Sequence, residues 1–300
     1  MASTMSAAPV PLKVWIQATR PKTLTAALVP VMVGTALAVR HGVARPLPAF
    51  AALAGAMLIQ VGTNLTNDYY DFKKGADTAE RVGPQRVTQA GLVAPARVLG
   101  AALASFGLAV AVGLYLAWVG GWPIVAIGVA SVLSGYAYTG GPFPLGYNGL
   151  GDLFVMIFFG FVAVCGTYYV QALTLPWVAA VVAVPVGAIG TALIVVNNLR
   201  DADTDARVGK RTLAVRFGKA FARAEYASLL FAAFAAPVVL FATGEPGAWT
   251  FLSLLAAPFA WEPLKTVFTA EGAALNAALH GTARLQLVFG LLFSLGLVLR

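Results

Sequence analysis

Two short stretches hold acidic and amide side chains at spacings that suit metal and phosphate chemistry. The first runs from Asn64 to Asp77, reading NLTNDYYDFKKGAD, with Asn67, Asp68, Asp71 and Asp77 inside it. If a helix continues through it, Asn64, Asp68 and Asp71 fall at i, i+4 and i+7 and share one face. The second stretch, NNLRDADTD, places Asn198, Asp201 and Asp205 at i, i+3 and i+7, again one stripe, while Asp203 points elsewhere and is solvated. Hard divalent cations take oxygen ligands, and Mg²⁺ characteristically combines one or two carboxylates with substrate phosphates and water. Lys73, Lys74, Arg81, Arg86, Lys210 and Arg211 follow the acids closely and supply charge-assisted donors for phosphate oxygens. Acids, bases and an apolar surround together point to a substrate with a diphosphate head and a hydrocarbon tail.

The elements that must carry these residues are membrane helices. The 300-residue chain is 59% hydrophobic and 11% charged, with a mean hydropathy of +0.81, whereas soluble domains carry about 25% charged residues. Val98–Val119 and Pro176–Asn197 are each 22 residues long without a charge, enough to cross a bilayer as a helix. They lack the alternation of a transmembrane barrel strand. The pattern predicts an all-α, polytopic bundle with nine spans at 23–39, 47–66, 98–119, 122–139, 153–171, 176–197, 226–243, 247–262 and 284–299. Polar loops are expected at 67–97 and 198–225. Residues 1–14 read as an N-terminal cytoplasmic tail without the apolar core of a signal peptide, and 15–300 as one transmembrane domain.

With the N-terminus in the cytoplasm, 17 of the 20 Lys and Arg residues fall inside and only Arg40, Arg45 and Arg300 outside, as the positive-inside rule requires. The net charge of +8 is thereby accounted for without nucleic acid. Nine spans put the C-terminus on the opposite side and both polar loops on the cytoplasmic face. The loops share a grammar: Asn67 and Asp71 precede Arg81-Val82-Gly83 and Arg86, just as Asn197, Asp201 and Asp205 precede Arg207-Val208-Gly209 and Arg211. This suggests a pseudo-symmetric pair closing over one site.

Two other readings stand beside this one. The acids could simply pair with juxtamembrane bases, although that leaves the doubled Asn/Asp spacing without a reason. They could form the cation relay of a transporter, although relay acids usually lie mid-span. No Walker-type signature supports an ATP-driven machine. His41 and His280 stand apart from the motifs, and Cys165, the one cysteine, reads as a small buried apolar residue. Gly160, Gly166, Gly187 and Gly190 read as sites of close helix packing. Trp118, Trp122, Trp177 and Trp249 read as interfacial aromatics.

The stretch from Asn64 to Gly91 resembles the first aspartate-rich motif of the UbiA-type intramembrane prenyltransferases, and within them the 1,4-dihydroxy-2-naphthoate branch. The stretches NNLRDADTDARVGKRTLAVRFG (Asn197 to Gly218), YTGGPFPLGYNGLGD (Tyr138 to Asp152) and Arg20-Pro21-Lys22-Thr23 are similar to the same branch. The resemblance implies Mg²⁺-dependent transfer of a polyprenyl group from its diphosphate to dihydroxynaphthoate, with loss of CO₂, in the inner membrane. It implies that Asn67, Asp68, Asp71, Asn198, Asp201 and Asp205 hold metal. Asp77 is set further back than the family's usual third acid by Gly75 and Ala76. Asn64 resembles a site asparagine, Arg81, Arg86, Lys210 and Arg211 would clamp the diphosphate with Lys73, and Arg20 and Lys22 either anchor the acceptor's carboxylate or sit at headgroups. Tyr138 either faces the allylic cation or is an ordinary interfacial aromatic. Hydroxybenzoate-type members resemble a Tyr-x-x-Lys pattern in span four, and this chain has Tyr138-Thr139-Gly140-Gly141 without the lysine. That favours the naphthoate acceptor over a hydroxybenzoate, and a homogentisate-type acceptor or a phytyl donor stays as the alternative.

Overall fold

The computed structural model describes residues 10–77, 82–244 and 247–299, except for the side chain of Lys22. Every regular element among them is helical. A short helix α1 (Leu12–Thr19) precedes α2 (Thr25–Arg40), α3 (Pro46–Lys73), α4 (Pro95–Gly120) and α5 (Trp122–Ala137). Then come α6 (Gly151–Val155) and α7 (Ala163–Ala172), joined by a π-helical stretch Met156–Val162 into one continuous span, and α8 (Trp177–Arg207). The chain ends with α9 (Leu213–Ala242), α10 (Ala257–Thr269) and α11 (Leu275–Val298). Six of these spans are long and apolar enough to cross a membrane, and α2 and α5 are shorter apolar helices.

Helix boundaries differ from those expected where charge interrupts apolar sequence. α3 and α8 do not stop at the lipid boundary but run on to Lys73 and Arg207, so both acidic stretches are helical. The expected 198–225 loop shrinks to the turn between α8 and α9, because α9 starts at Leu213, where Thr212 caps it by accepting from the Val215 N–H. Its charged first turns are satisfied by ion pairs: Lys219 reaches Asp203 at 2.9 Å and Glu271 at 3.2 Å, and Arg223 reaches Glu271 at 3.5 Å. α9 bends at Gly218, whose φ of 88° only glycine adopts readily. Likewise α11 begins at Leu275, nine residues before the expected span.

α8 is the axis of the bundle, with 72% of its apolar window buried against 22% for α3. It packs against α9, α11, α2 and the π-helical stretch. Very small residues permit the closest crossings: a Cβ on Gly160 would stand 2.8 Å from the Gly187 Cα. At Gly166 a Cβ would meet nothing within 4 Å, so that glycine opens space rather than closing a contact. A second cluster of Ala18, Leu65, Val87, Val93, Val98 and Ala102 fastens the segment after the first acidic stretch onto α1, α3 and α4. Trp118, Trp122, Trp177 and Trp249 are all well exposed and lie at helix ends, where an aromatic belt belongs.

Candidate active site

Both acidic stripes face one cavity of about 820 Å³. It is walled by apolar side chains of α2 through α8, among them Val31, Ile59, Val129, Phe158 and Leu193, and Asp68, Asp71, Asp201 and Asp205 close its polar end. Continuing α3 and α8 past the apolar boundary is what brings these acids to the cavity mouth. Asn64, Asn67, Asp77 and Asn198 line it too, as do Arg20, Arg86, Tyr138 and Lys210.

Each carboxylate is held by a specific donor. Asp68 accepts from the backbone N–H groups of Val87 and Thr88, at 3.2 and 3.1 Å, so the 82–94 segment is fastened to the acid itself. Asp71 accepts from the Tyr147 hydroxyl at 2.9 Å and pairs with Arg86 at 3.3 Å. Arg86 also lies 3.3 Å from Asp77. On the other stripe, Asp201 takes two bonds from its neighbour Arg200, which also reaches Asn197 and Asn276. Asp205 pairs with Lys210 at 3.1 Å. Asn198 donates to Asp152 at 3.4 Å, and the Asn67 carbonyl accepts from Thr139 at 2.8 Å. The Asn64 amide donates to the Thr19 carbonyl and the Thr23 hydroxyl, and Arg20 donates back to the Asn64 carbonyl at 3.1 Å. Arg20 itself has a φ of 52°, an unusual backbone state for a non-glycine residue.

Lys210 sits over the Tyr147 ring at 5.6 Å. Burial alone would lower its pKa, but Asp205, Asp71 and Asp201 outweigh burial and hold it above the ordinary lysine value. Burial, followed by the charge and hydrogen bond of Asp71, pushes the Tyr147 phenol far up, so it stays a donor.

Some expected residues lie elsewhere. Lys73 and Arg211 are exposed and outside the cavity lining. Arg81 lies outside the described residues. His280, set apart on sequence grounds, lines the cavity with Leu279 and Ala283, because α11 begins early enough to carry it there. His41 is remote from the acids and bonds the Tyr168 hydroxyl at 2.7 Å. Tyr147 and Asp152 are functional contacts that spacing did not identify. Both fall within the Tyr138 to Asp152 stretch, but neither sits at a helical interval from the acids, so only the fold brings them together.

The donors available to a cation are all carboxylate and amide oxygens, a set that fits a hard divalent metal. Among the described residues no three acids or histidines already converge as a preformed cluster. The carboxylates of both stripes instead line the same cavity, from α3 and α8.

The chain is similar to known proteins in sequence and in fold. A 1,4-dihydroxy-2-naphthoate octaprenyltransferase of Mycobacterium tuberculosis is 40% identical over 92% of this chain and 94% of its own. The protein of that name from Escherichia coli is 36% identical over 95% of each chain. The fold matches a UbiA homolog from Archaeoglobus fulgidus solved with GPP and Mg²⁺, at a TM-score of 0.69 and 13% identity, covering 95% of this chain and 99% of that one. The sequence profile of the UbiA prenyltransferase family matches residues 27–293, and the chain belongs to that family.

Proposed function

We propose that this protein transfers a polyprenyl group from polyprenyl diphosphate to 1,4-dihydroxy-2-naphthoate, releasing CO₂ and diphosphate and giving demethylmenaquinol. The observation that carries this is the cavity itself: two acidic helix ends meet at its polar mouth, and apolar walls run on from there. The identity to relatives named 1,4-dihydroxy-2-naphthoate octaprenyltransferase supports the acceptor. Residues 15–300 act as one domain. Nine crossings would put the N-terminus and both acid-bearing segments, a pseudo-symmetric pair, on the cytoplasmic face of the inner membrane and the C-terminus opposite.

Asn67, Asp68, Asp71, Asp77, Asn198, Asp201 and Asp205 would hold Mg²⁺ with the diphosphate. Bound metal would neutralise the charge that develops on the leaving diphosphate. Arg86 and Lys210, already against those acids, add fixed positive charge at the same place. Lys73, Arg81 and Arg211 would add positive charge that draws in the diphosphate from outside the cavity lining. The allylic C–O bond breaks with its electron pair leaving on diphosphate, and the carboxylated ring carbon attacks the resulting cation. Loss of CO₂ returns the electron pair of the C–C bond to the ring and restores its aromaticity. Apolar walls exclude water that would quench the cation. Arg20 and Lys22 would draw the acceptor's carboxylate to the mouth, and Asn64 holds the Arg20 turn in place. Tyr138 presents its ring to the cation.

The test is product formation by purified protein given dihydroxynaphthoate, octaprenyl diphosphate and Mg²⁺, read by mass spectrometry. The expected result is a prenylated, decarboxylated naphthoquinol that disappears with EDTA and in folded Asp201→Ala. Product only with 4-hydroxybenzoate would overturn the acceptor. No product with any acceptor, together with cation-dependent flux in proteoliposomes, would overturn the enzyme reading.

A further inference from the structure

The middle of the cavity wall carries polar side chains that the chemistry above does not use. Gln60 lies on α3 one turn before Asn64 and two before Asp68, on the same stripe, about 12 Å deeper than Asp68 at 1.5 Å per residue. It lines the cavity and is only 8% exposed. It has no hydrogen-bond partner among the described residues. Ser131 and Ser134 of α5 line the cavity as well, and their hydroxyls are also unpaired among the described residues. The two helices touch at this depth: a Cβ on Gly135 would stand 2.6 Å from the Thr63 hydroxyl and 3.6 Å from Ile59. Ser131 and Ser134 thus line the cavity near the depth of Gln60.

An amide left without a partner in apolar surroundings is unfavourable, and so is its retention at membrane depth unless something satisfies it. A polyprenyl tail has no polar atom to offer. A hydroxylated aromatic ring does, because a phenolic hydroxyl both donates and accepts and an amide can answer either way. The depth also suits such a ring. Its reacting carbon must lie at the diphosphate level near Asp68 and Asp71, and a fused bicyclic ring extends from there toward Gln60.

Resting on the prenyl-transfer reading above, we propose that Gln60, with Ser131 and Ser134, seats the aromatic acceptor by bonding the hydroxyl more remote from its carboxylated carbon. The carboxylate then points up to Arg20 at the mouth, and the ring carbon faces the breaking C–O bond. Gln60 is thus an acceptor-binding residue that makes no contact with the diphosphate.

The test measures KM for each substrate of the wild-type enzyme, Gln60→Leu, Gln60→Asn and Ser134→Ala, with dihydroxynaphthoate and octaprenyl diphosphate. Gln60→Leu removes no internal bond, so it is expected to fold, and melting temperature in detergent verifies that. The expected result is about a tenfold rise in acceptor KM for Gln60→Leu, as loss of one hydrogen bond would give. Gln60→Asn and Ser134→Ala should show smaller rises. KM for octaprenyl diphosphate and half-saturation by Mg²⁺ should not move. Dihydroxynaphthoate alone should raise the melting temperature of wild type and not of Gln60→Leu. An unchanged acceptor KM in Gln60→Leu, with wild type active, would overturn this inference and leave the prenyl-transfer reading standing. A rise in donor KM instead would assign Gln60 to the tail path and overturn it equally. A wild-type enzyme that makes no prenylated naphthoquinol would overturn both.

Discussion

Asp71 is the residue on which the first half of the site turns. It is bonded by Tyr147 and Arg86, and both come from loop segments distant in sequence. Tyr147→Phe removes one donor from a carboxylate and leaves the ring between Lys74 and Lys210. We expect kcat to fall about tenfold, in line with one charge-assisted hydrogen bond, with more Mg²⁺ needed for half-maximal rate and the melting temperature nearly unchanged. Titrating product formation against Mg²⁺ checks this. Lys210 offers a pH test. Its folded pKa is raised above the unfolded value by Asp205, Asp71 and Asp201, against the opposing effect of burial. The stability it contributes is therefore fully present below the ordinary lysine range and is lost as pH rises through the raised value. The difference in melting temperature between wild type and Lys210→Met should stay level through neutral pH and shrink only at strongly alkaline pH.

At the scale of elements, two glycines that look alike in sequence do opposite things. Gly160 meets Gly187 backbone to backbone where the π-helical stretch crosses α8, whereas Gly166 on α7 borders open cavity. Gly160→Ala should destabilise the fold by about 1–3 kcal/mol through overpacking. Gly166→Ala should leave the melting temperature within a degree or two and keep activity. Thermal unfolding of the two variants in the same detergent separates the cases. Their shared apolar setting made both legible as membrane residues. Which one packs depends on the rotation of the helix about its axis, and the π turn at Met156–Val162 resets that rotation.

At the scale of the whole molecule, orientation in the membrane can be measured directly, because Cys165 is the one cysteine. In a Cys165→Ala background, Thr243→Cys and Arg207→Cys sit at the exposed C-terminal ends of α9 and α8. A membrane-impermeant maleimide applied to spheroplasts should label Thr243→Cys and reach Arg207→Cys only after lysis. The reverse pattern would invert the topology.

The helical membrane class, the rough placement of the apolar segments and the two acidic stripes are all legible in the linear chain. This is because they rest on local quantities: run length without charge, and the i, i+4, i+7 interval that any α-helix enforces. The resemblance of those stripes to a known family then named the acids. Which bases serve them emerges from the packed bundle. Arg86 and Lys210 reach the carboxylates while Lys73 and Arg211, adjacent in the same motifs, do not. His280 and Gln60 line the cavity from α11 and α3, and Tyr147 and Asp152 bond the cavity-lining Asp71 and Asn198 from outside it. Nothing in one helix's period encodes what another helix presents, so these contacts become visible only once the bundle has closed around its cavity.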